Sequence, residues 1–452
     1  MHFILSVGSL AASKIIVMIT SVMVVSLVTK NLPVVDQARY FLFTTTISSA
    51  LAFVRLGVGR SMMRRLASAA ACDRVTRLRR ELPLALTTVS ISGLLLSPLV
   101  VVLCLFFAEG TQYANNTEVW THVSICSAGL ILMALMQTLS DAARGIGSSL
   151  LAAVLDSPRG GAISGVLMLV SSYLFYATGE FTIMVLMATT VACLFIAVAF
   201  GVFVLLRKCQ LAQDIPFTID TSDISDIFRD GSRFWIMEIA ASLLLFGDIW
   251  LSSIFLYPEG SAMYYTASQI AALVTFPVGI LSVSAVPHIV EAYSRSEIRE
   301  AERMTQAISS ISLLVCAPCI LLLWPFSSEA MQVLFNIKSP EGGMVLRLLL
   351  ATKLFSVIAG PTSLCLSFLM RGWEPVVLSV GSASLLLITL SSFVNPNSAS
   401  QFAVLVLVVS VIRNITEWSL CRYKLGILTH PSYRSAAAAF ICCTKQFKSR
   451  MR

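Results

Sequence analysis

The chain has 452 residues, of which 57% are hydrophobic and 12% charged, with a formal net charge of +8. A soluble domain carries about 25% charged residues; half that share, laid out as long apolar runs, excludes a water-soluble core and points to a polytopic membrane protein. No basic tract is interleaved with aromatics, so the positive charge reads as membrane topology and not as nucleic-acid binding.

Segments that span a bilayer must be helices or a closed barrel. The apolar runs are near 20 residues long and lack the period-2 alternation of barrel strands, which predicts an all-α fold. Hydropathy places twelve transmembrane helices, at 6–28, 41–59, 84–107, 122–143, 160–178, 181–206, 234–256, 264–287, 307–326, 345–367, 375–394 and 400–420. The first run lacks a basic leader and extends to about Val28, so it reads as a span and not as a cleavable signal peptide. Trp120, Trp235, Trp324 and Trp373 fall near span ends, where interfacial aromatics belong.

The loops alternate in charge. The second span is followed by Arg60, Arg64, Arg65, Arg74, Arg77, Arg79 and Arg80, and the fourth by Arg144 and Arg159. The sixth, eighth and tenth are followed by further arginines, and the tail is basic. The opposite loops favour Glu109, Glu118, Glu180, Glu259, Glu329 and Glu341. The positive-inside rule therefore predicts cytoplasmic termini. The halves repeat this pattern: Arg39-Tyr40 and Met263-Tyr264-Tyr265 each open a span, and Pro98 and Pro318 each interrupt the next one. The shared direction predicts two six-helix bundles around a central cleft. The expected divisions are an N-terminal bundle at 1–206, a cytoplasmic linker at 207–233 with a short amphipathic helix near 223–229, a C-terminal bundle at 234–420 and a basic cytoplasmic tail at 421–452. The tail reads either as a segment held on anionic lipid or as a disordered one.

Charge within a span is costly and marks a pathway or a pair. Lys14 and Lys353 each lie ~12 Å deep at ~1.5 Å per residue. Below Lys353, Ser356, Gly360, Ser363 and Ser367 align as one helical stripe, facing a cavity or another helix. Arg413 either serves substrate or pairs with Glu417, four residues on. Arg55 either faces the cavity or snorkels to the inner interface. Asp248 and Glu238 are acids that pair with a cavity lysine or bind a coupling proton or sodium ion; for Asp248 a hydrogen bond to a neighbouring helix is the alternative. Asp141 and Arg144 read as a boundary pair.

Other motifs carry less. Cys316-Ala317-Pro318-Cys319 has redox spacing but sits inside a span, where cysteine behaves as a small hydrophobe. Cys442-Cys443 lies beside basic residues, as an acylated pair would. His2, His122, His288 and His430 lack metal-ligand spacing, and no phosphate loop occurs. No cofactor, intrinsic ATPase or enzymatic activity is expected.

The stretch 263–303 organises these readings. An apolar run from Tyr264 ends near Pro287, and a charged segment, Glu291 to Arg303, follows. Tyr264-Tyr265-Thr266-Ala267-Ser268-Gln269, Gly247-Asp248-Ile249-Trp250, Gly360-Pro361 and Leu369-Met370-Arg371-Gly372 together resemble Wzx-type polysaccharide flippases of the MATE-like (multidrug/oligosaccharidyl-lipid/polysaccharide, MOP) exporter superfamily. The resemblance implies a bacterial inner-membrane flippase for a polyprenyl-pyrophosphate-linked oligosaccharide, the repeat unit of an O-antigen, capsule or exopolysaccharide. It implies contact with membrane lipids, a polysaccharide polymerase and a chain-length regulator. Lys14, Lys353, Arg413 and Arg55 are then the candidate substrate cations, and Asp248 and Glu238 the coupling or charge partners. A cation-coupled multidrug exporter, which needs an acidic cavity, is the first alternative. A membrane polymerase or ligase, which needs a substantial reactive outer loop, is the second.

Overall fold

A bilayer interior offers backbone groups no water, so each apolar run satisfies its own amides by coiling. The computed structural model describes residues 2–68, 74–108, 116–156, 161–210, 221–369, 374–393 and 398–432. These form α1 (His2–Asn31), α2 (Val34–Arg55), α3 (Val58–Ser68), α4 (Arg74–Ala108), α5 (Asn116–Gly145), α6 (Ser149–Leu155), α7 (Ala162–Thr178), α8 (Ile183–Gln210), α9 (Thr221–Phe255), α10 (Pro258–Ser294), α11 (Ile298–Leu323), α12 (Ser327–Phe335), α13 (Pro340–Ala359), α14 (Thr362–Leu369), α15 (Glu374–Phe393) and α16 (Ala399–Leu420). About twelve of them are long and follow the order of the expected spans; α3, α6, α12 and α14 are short. Among the described residues, eight helices are long and apolar enough to cross a membrane, or nine if the bent pair α2–α3 is one span. The chain is an all-α, multi-pass membrane protein.

Spatial contacts group the chain into Met1–Ala262 and Met263–Arg452. Helix α9, which the expected division at 234 gives to the second half, groups with the first because it packs on α2 and α3. The amphipathic helix expected near 223–229 is the opening of α9. Linker residues 211–220, Arg159, Met370-Arg371-Gly372 and the tail beyond 432, with Cys442-Cys443, lie outside the described residues.

In the first unit the expected second span turns through 63° between α2 and α3. Leu56 and Gly57 sit at the elbow with φ of 51° and 68°. Here glycine is required: a Cβ on Gly57 would strike the Gly231 carbonyl and lie 2.6 Å from the Trp235 amide nitrogen of α9. Beyond the elbow, α3 buries Val58, Met62 and Leu66 at four-residue spacing, while Arg64 lies exposed. The fourth span, expected at 122–143, lies whole within α5, and a break follows it. Helix α5 closes at Gly145, Gly147 takes φ of 78°, and α6 follows. The break is tied on two sides. Ser13 Oγ of α1 donates to the Ala153 carbonyl at 2.5 Å, and Lys208 Nζ of α8 donates to Ser148 Oγ at 2.9 Å.

In the second unit the tenth span, expected at 345–367, breaks at Gly360-Pro361 into α13 and α14. Gly360 takes φ of 82°, which ends α13, and Pro361 disfavours helical backbone in the residue before it. The stripe from Lys353 to Ser367 is therefore split between two helices. The chain after α16 makes a π-helical turn, Cys421–Leu425, reverses at Gly426 and threads back as a non-helical segment. Ser309 Oγ donates to the Thr429 carbonyl at 2.5 Å, Thr429 Oγ1 donates to the Ala359 carbonyl at 2.6 Å, and the Ser432 amide donates to Ser310 Oγ at 2.9 Å. Ile427 and Thr429 are fully buried there. Tyr264, from the stretch that carries the resemblance, packs edge-on against Phe402 with ring centroids 4.8 Å apart. Cys316 donates its thiol to the Val274 carbonyl at 3.3 Å, so it serves the core.

Candidate functional site

Six elements of the first unit bring seven charged side chains into one continuous chain. It begins on α1, where Lys14 Nζ lies 3.1 Å from Asp156 Oδ2. Asp156 caps the C-terminus of α6 and also pairs with the Arg144 guanidinium of α5. Arg144 Nη1 lies 3.6 Å from Asp141 Oδ1, one turn back on the same helix. Asp141 pairs with Arg55 at the end of α2. Arg55 Nη1 reaches Glu238 Oε1 of α9 at 3.2 Å, and Arg60 Nε of α3 reaches the same oxygen at 2.9 Å.

The elbow explains how this happens. Arg55 precedes it and Arg60 follows it, so both sides of the turn face the stretch of α9 that the glycines admit. Glu238 is seven residues beyond Gly231, two turns along the same helix face. Gly59 keeps the centre open: a Cβ there would lie 2.5 Å from Arg55 Nη2 and 2.7 Å from Asp141 Oδ2.

Exposure grades along the chain. Arg55, Asp141 and Glu238 have side chains only 7%, 6% and 4% exposed, whereas Arg60 and Arg144 keep 37% and 35% and Lys14 keeps 27%. The buried middle is structural: removing one partner of such a pair strands a charge out of water. Lys14, Arg144 and Arg60 can meet a ligand. Four cations face three carboxylates, which leaves one positive charge in excess. Burial alone would push the Asp156 carboxyl up; Arg144 and Lys14 outweigh it and hold the group below the usual carboxylate range.

The second unit holds a smaller cluster. Glu417 of α16 is buried and accepts hydrogen bonds from Thr362 Oγ1 at 2.7 Å and Ser363 Oγ at 2.6 Å, both of α14. Arg413 Nε lies 3.7 Å from its other oxygen, so the pairing anticipated for Arg413 is present.

The structure brings Lys14, Arg55 and Glu238 into one network. Arg55 is buried between two acids and does not snorkel to the interface. Asp141 and Arg144 pair, as expected at that boundary, and extend in both directions. Lys353 lies part-buried on α13 and Asp248 part-buried on α9. The sequence reading missed Asp156, Arg60 and the elbow. The available signals were an acid in an otherwise basic inner loop, and the doublet Gly57-Val58-Gly59 framed by Arg55 and Arg60.

Searches with the sequence match no family model and no curated protein. Solved structures do match. An inward-facing multidrug resistance MATE family transporter of the MOP superfamily aligns at a TM-score of 0.68 and 14% identity, covering 91% of this chain and 94% of that one. The fold is that of MOP-superfamily transporters. An outward-facing MATE family transporter of that superfamily aligns at 0.66 and 14% identity, covering 93% and 95%. A MOP-superfamily transporter from Pyrococcus furiosus, described as having a binding pocket of reversed polarity that suggests a different function, aligns at 0.62 and 15% identity, covering 93% and 98%.

Proposed function

We propose that the chain is a secondary transporter that flips a polyprenyl-diphosphate-linked oligosaccharide from the cytoplasmic to the outer leaflet of the bacterial inner membrane. The observation that carries this reading is the ion-paired chain, whose most accessible members are all cations: Lys14 and Arg60 at its ends and Arg144 within it. A diphosphate headgroup suits such a site, and an organic cation does not. Lys353 and Arg413 are proposed as further substrate cations, Asp248 as the coupling residue for protons or sodium ions, and both termini as cytoplasmic. The MOP fold supports a membrane exporter, and the Pyrococcus furiosus relative is described in terms that tie pocket polarity to function. A polysaccharide polymerase and a chain-length regulator are the proposed partners.

Multidrug export is the second reading, because two of the structural relatives are described as multidrug resistance transporters. The two readings separate by complementation. Expression in a strain lacking its polysaccharide flippase restores surface polysaccharide under the first and leaves drug susceptibility unchanged. Raised resistance to cationic drugs without restored polysaccharide would select the second. Topology is checked alongside: a reporter fused after Arg80 reports cytoplasm, and one after Gly110 reports the periplasm.

A further inference from the structure

Asp156 occupies a place that suits a ligand's anion. Its carboxylate lies 3.1 Å from Lys14 Nζ and pairs with the Arg144 guanidinium, so cations from two different helices converge on one oxygen. Neither cation is sealed, with 27% and 35% of the side chains exposed. Arg144 also faces Asp141 at 3.6 Å, so the loss of Asp156 would not strand it. Asp156 itself ends a seven-residue helix that lies beyond the Gly147 break, so its departure requires no long element to unwind. The remaining members of the charge chain, Arg55, Glu238 and Arg60, are engaged with one another.

Two part-buried cations need an anion when the site is empty, because an unpaired charge withdrawn from water is costly. A carboxylate supplies one negative charge and two oxygens. A diphosphate supplies more of each and forms stronger charge-assisted bonds.

We propose that Lys14 and Arg144 form the site for the substrate's diphosphate, and that Asp156 is an internal stand-in which the lipid-linked diphosphate displaces. The proposal rests on the flippase reading and names its headgroup site. It makes Asp156 a competitor of the substrate, so removing its charge strengthens binding while removing either cation weakens it.

The test uses the purified full-length protein in detergent, with farnesyl diphosphate as the lipid-linked probe and inorganic pyrophosphate as the headgroup alone. Asp156→Asn is expected to tighten farnesyl diphosphate binding about tenfold, the equivalent of one charge-assisted bond. Adding Lys14→Gln or Arg144→Gln should cancel the gain. A second measurement needs no variant: carbodiimide labelling of Asp156 in the wild-type protein, read by mass spectrometry, should rise when farnesyl diphosphate saturates. Unchanged or weaker binding by Asp156→Asn, or flat labelling of Asp156, overturns the stand-in. A gain confined to pyrophosphate overturns the lipid-linked ligand in favour of a soluble anion. Translocation of lipid-linked sugar by a protein whose Asp156 labelling stays flat keeps the flippase reading and removes the stand-in. Increased labelling without translocation supports the site and removes the flippase reading.

Discussion

Two glycine breaks, between α5 and α6 in the first unit and between α13 and α14 in the second, share a backbone device and differ in what fastens them. Each has a positive-φ glycine between a long helix and a short one, Gly147 in the first and Gly360 in the second. The first break is fastened mainly by charge: Asp156 at its far end holds Lys14 and Arg144, and Lys208 reaches Ser148, with the Ser13–Ala153 hydrogen bond beside them. The second is fastened on one side by a neutral segment, with Thr429 hydrogen-bonded to Ala359 and Ser309, and on the other by the Glu417 carboxylate, which accepts from Thr362 and Ser363 of α14. Ion pairs exchange one partner for another of like sign, so the first break can respond to an anion. The hydroxyl-to-carbonyl hydrogen bonds at Thr429 have no such replacement, so that side of the second break is an anchor.

The largest expected effect tests the charged side. Arg55→Met removes the cation between Asp141 and Glu238, both buried, and should cost ~3–5 kcal/mol in chemical unfolding. A loss under ~0.5 kcal/mol would show that the buried pairs contribute nothing measurable. Gly360→Ala comes next, because its Cβ would meet the Thr429 carbonyl and Ser309 Oγ at a φ of 82°. The expected loss is ~1–3 kcal/mol, read as a lower melting temperature with no change in anion response. An altered anion response would break the contrast between the two fasteners. Thr429→Val removes one donor from the same anchor and should cost ~0.5–1.5 kcal/mol by the same assay; an unchanged melting temperature would mean that the hydrogen bond to Ala359 is dispensable.

The smallest effect concerns pH. The folded Asp156 carboxyl is held low, so its contribution to stability is present above its unfolded value near ~3.9 and is lost as pH falls through the folded value. Asp156→Asn should therefore leave the shape of the stability profile between pH 5 and 8 unchanged and flatten it only below ~4. A difference in slope between the two proteins near pH 6 would contradict the low folded value.

Hydropathy carried the helices, because a spanning run announces itself residue by residue; the positions of α4, α8 and α11 follow directly from it. The breaks were harder to read. A hydropathy window averages over Leu56-Gly57 and Gly360-Pro361, where apolar residues continue across a turn that only backbone angles reveal. The charges were legible singly and not as partners. Lys14 and Arg55 stand out because they interrupt apolar runs, but no sequence spacing links Arg55 to Glu238, 183 positions away. Asp156 gave no signal of depth, since in sequence it is one polar residue in a loop. The grouping of α9 with the first unit depends on glycine–glycine backbone approach at Gly57 and Gly231, which composition cannot register.

The central claim is that the part-exposed cations of the charge chain, Lys14 and Arg144, serve a lipid-linked diphosphate. The most direct measurement is translocation of a fluorescent polyprenyl-diphosphate oligosaccharide in vesicles containing the purified protein. The account predicts transfer well above protein-free vesicles, abolished by Lys14→Ala or Arg144→Ala and retained in larger part by Lys14→Arg, where the charge persists. Transfer no faster than in protein-free vesicles, or equal rates for wild type, Lys14→Ala and Arg144→Ala, would contradict it.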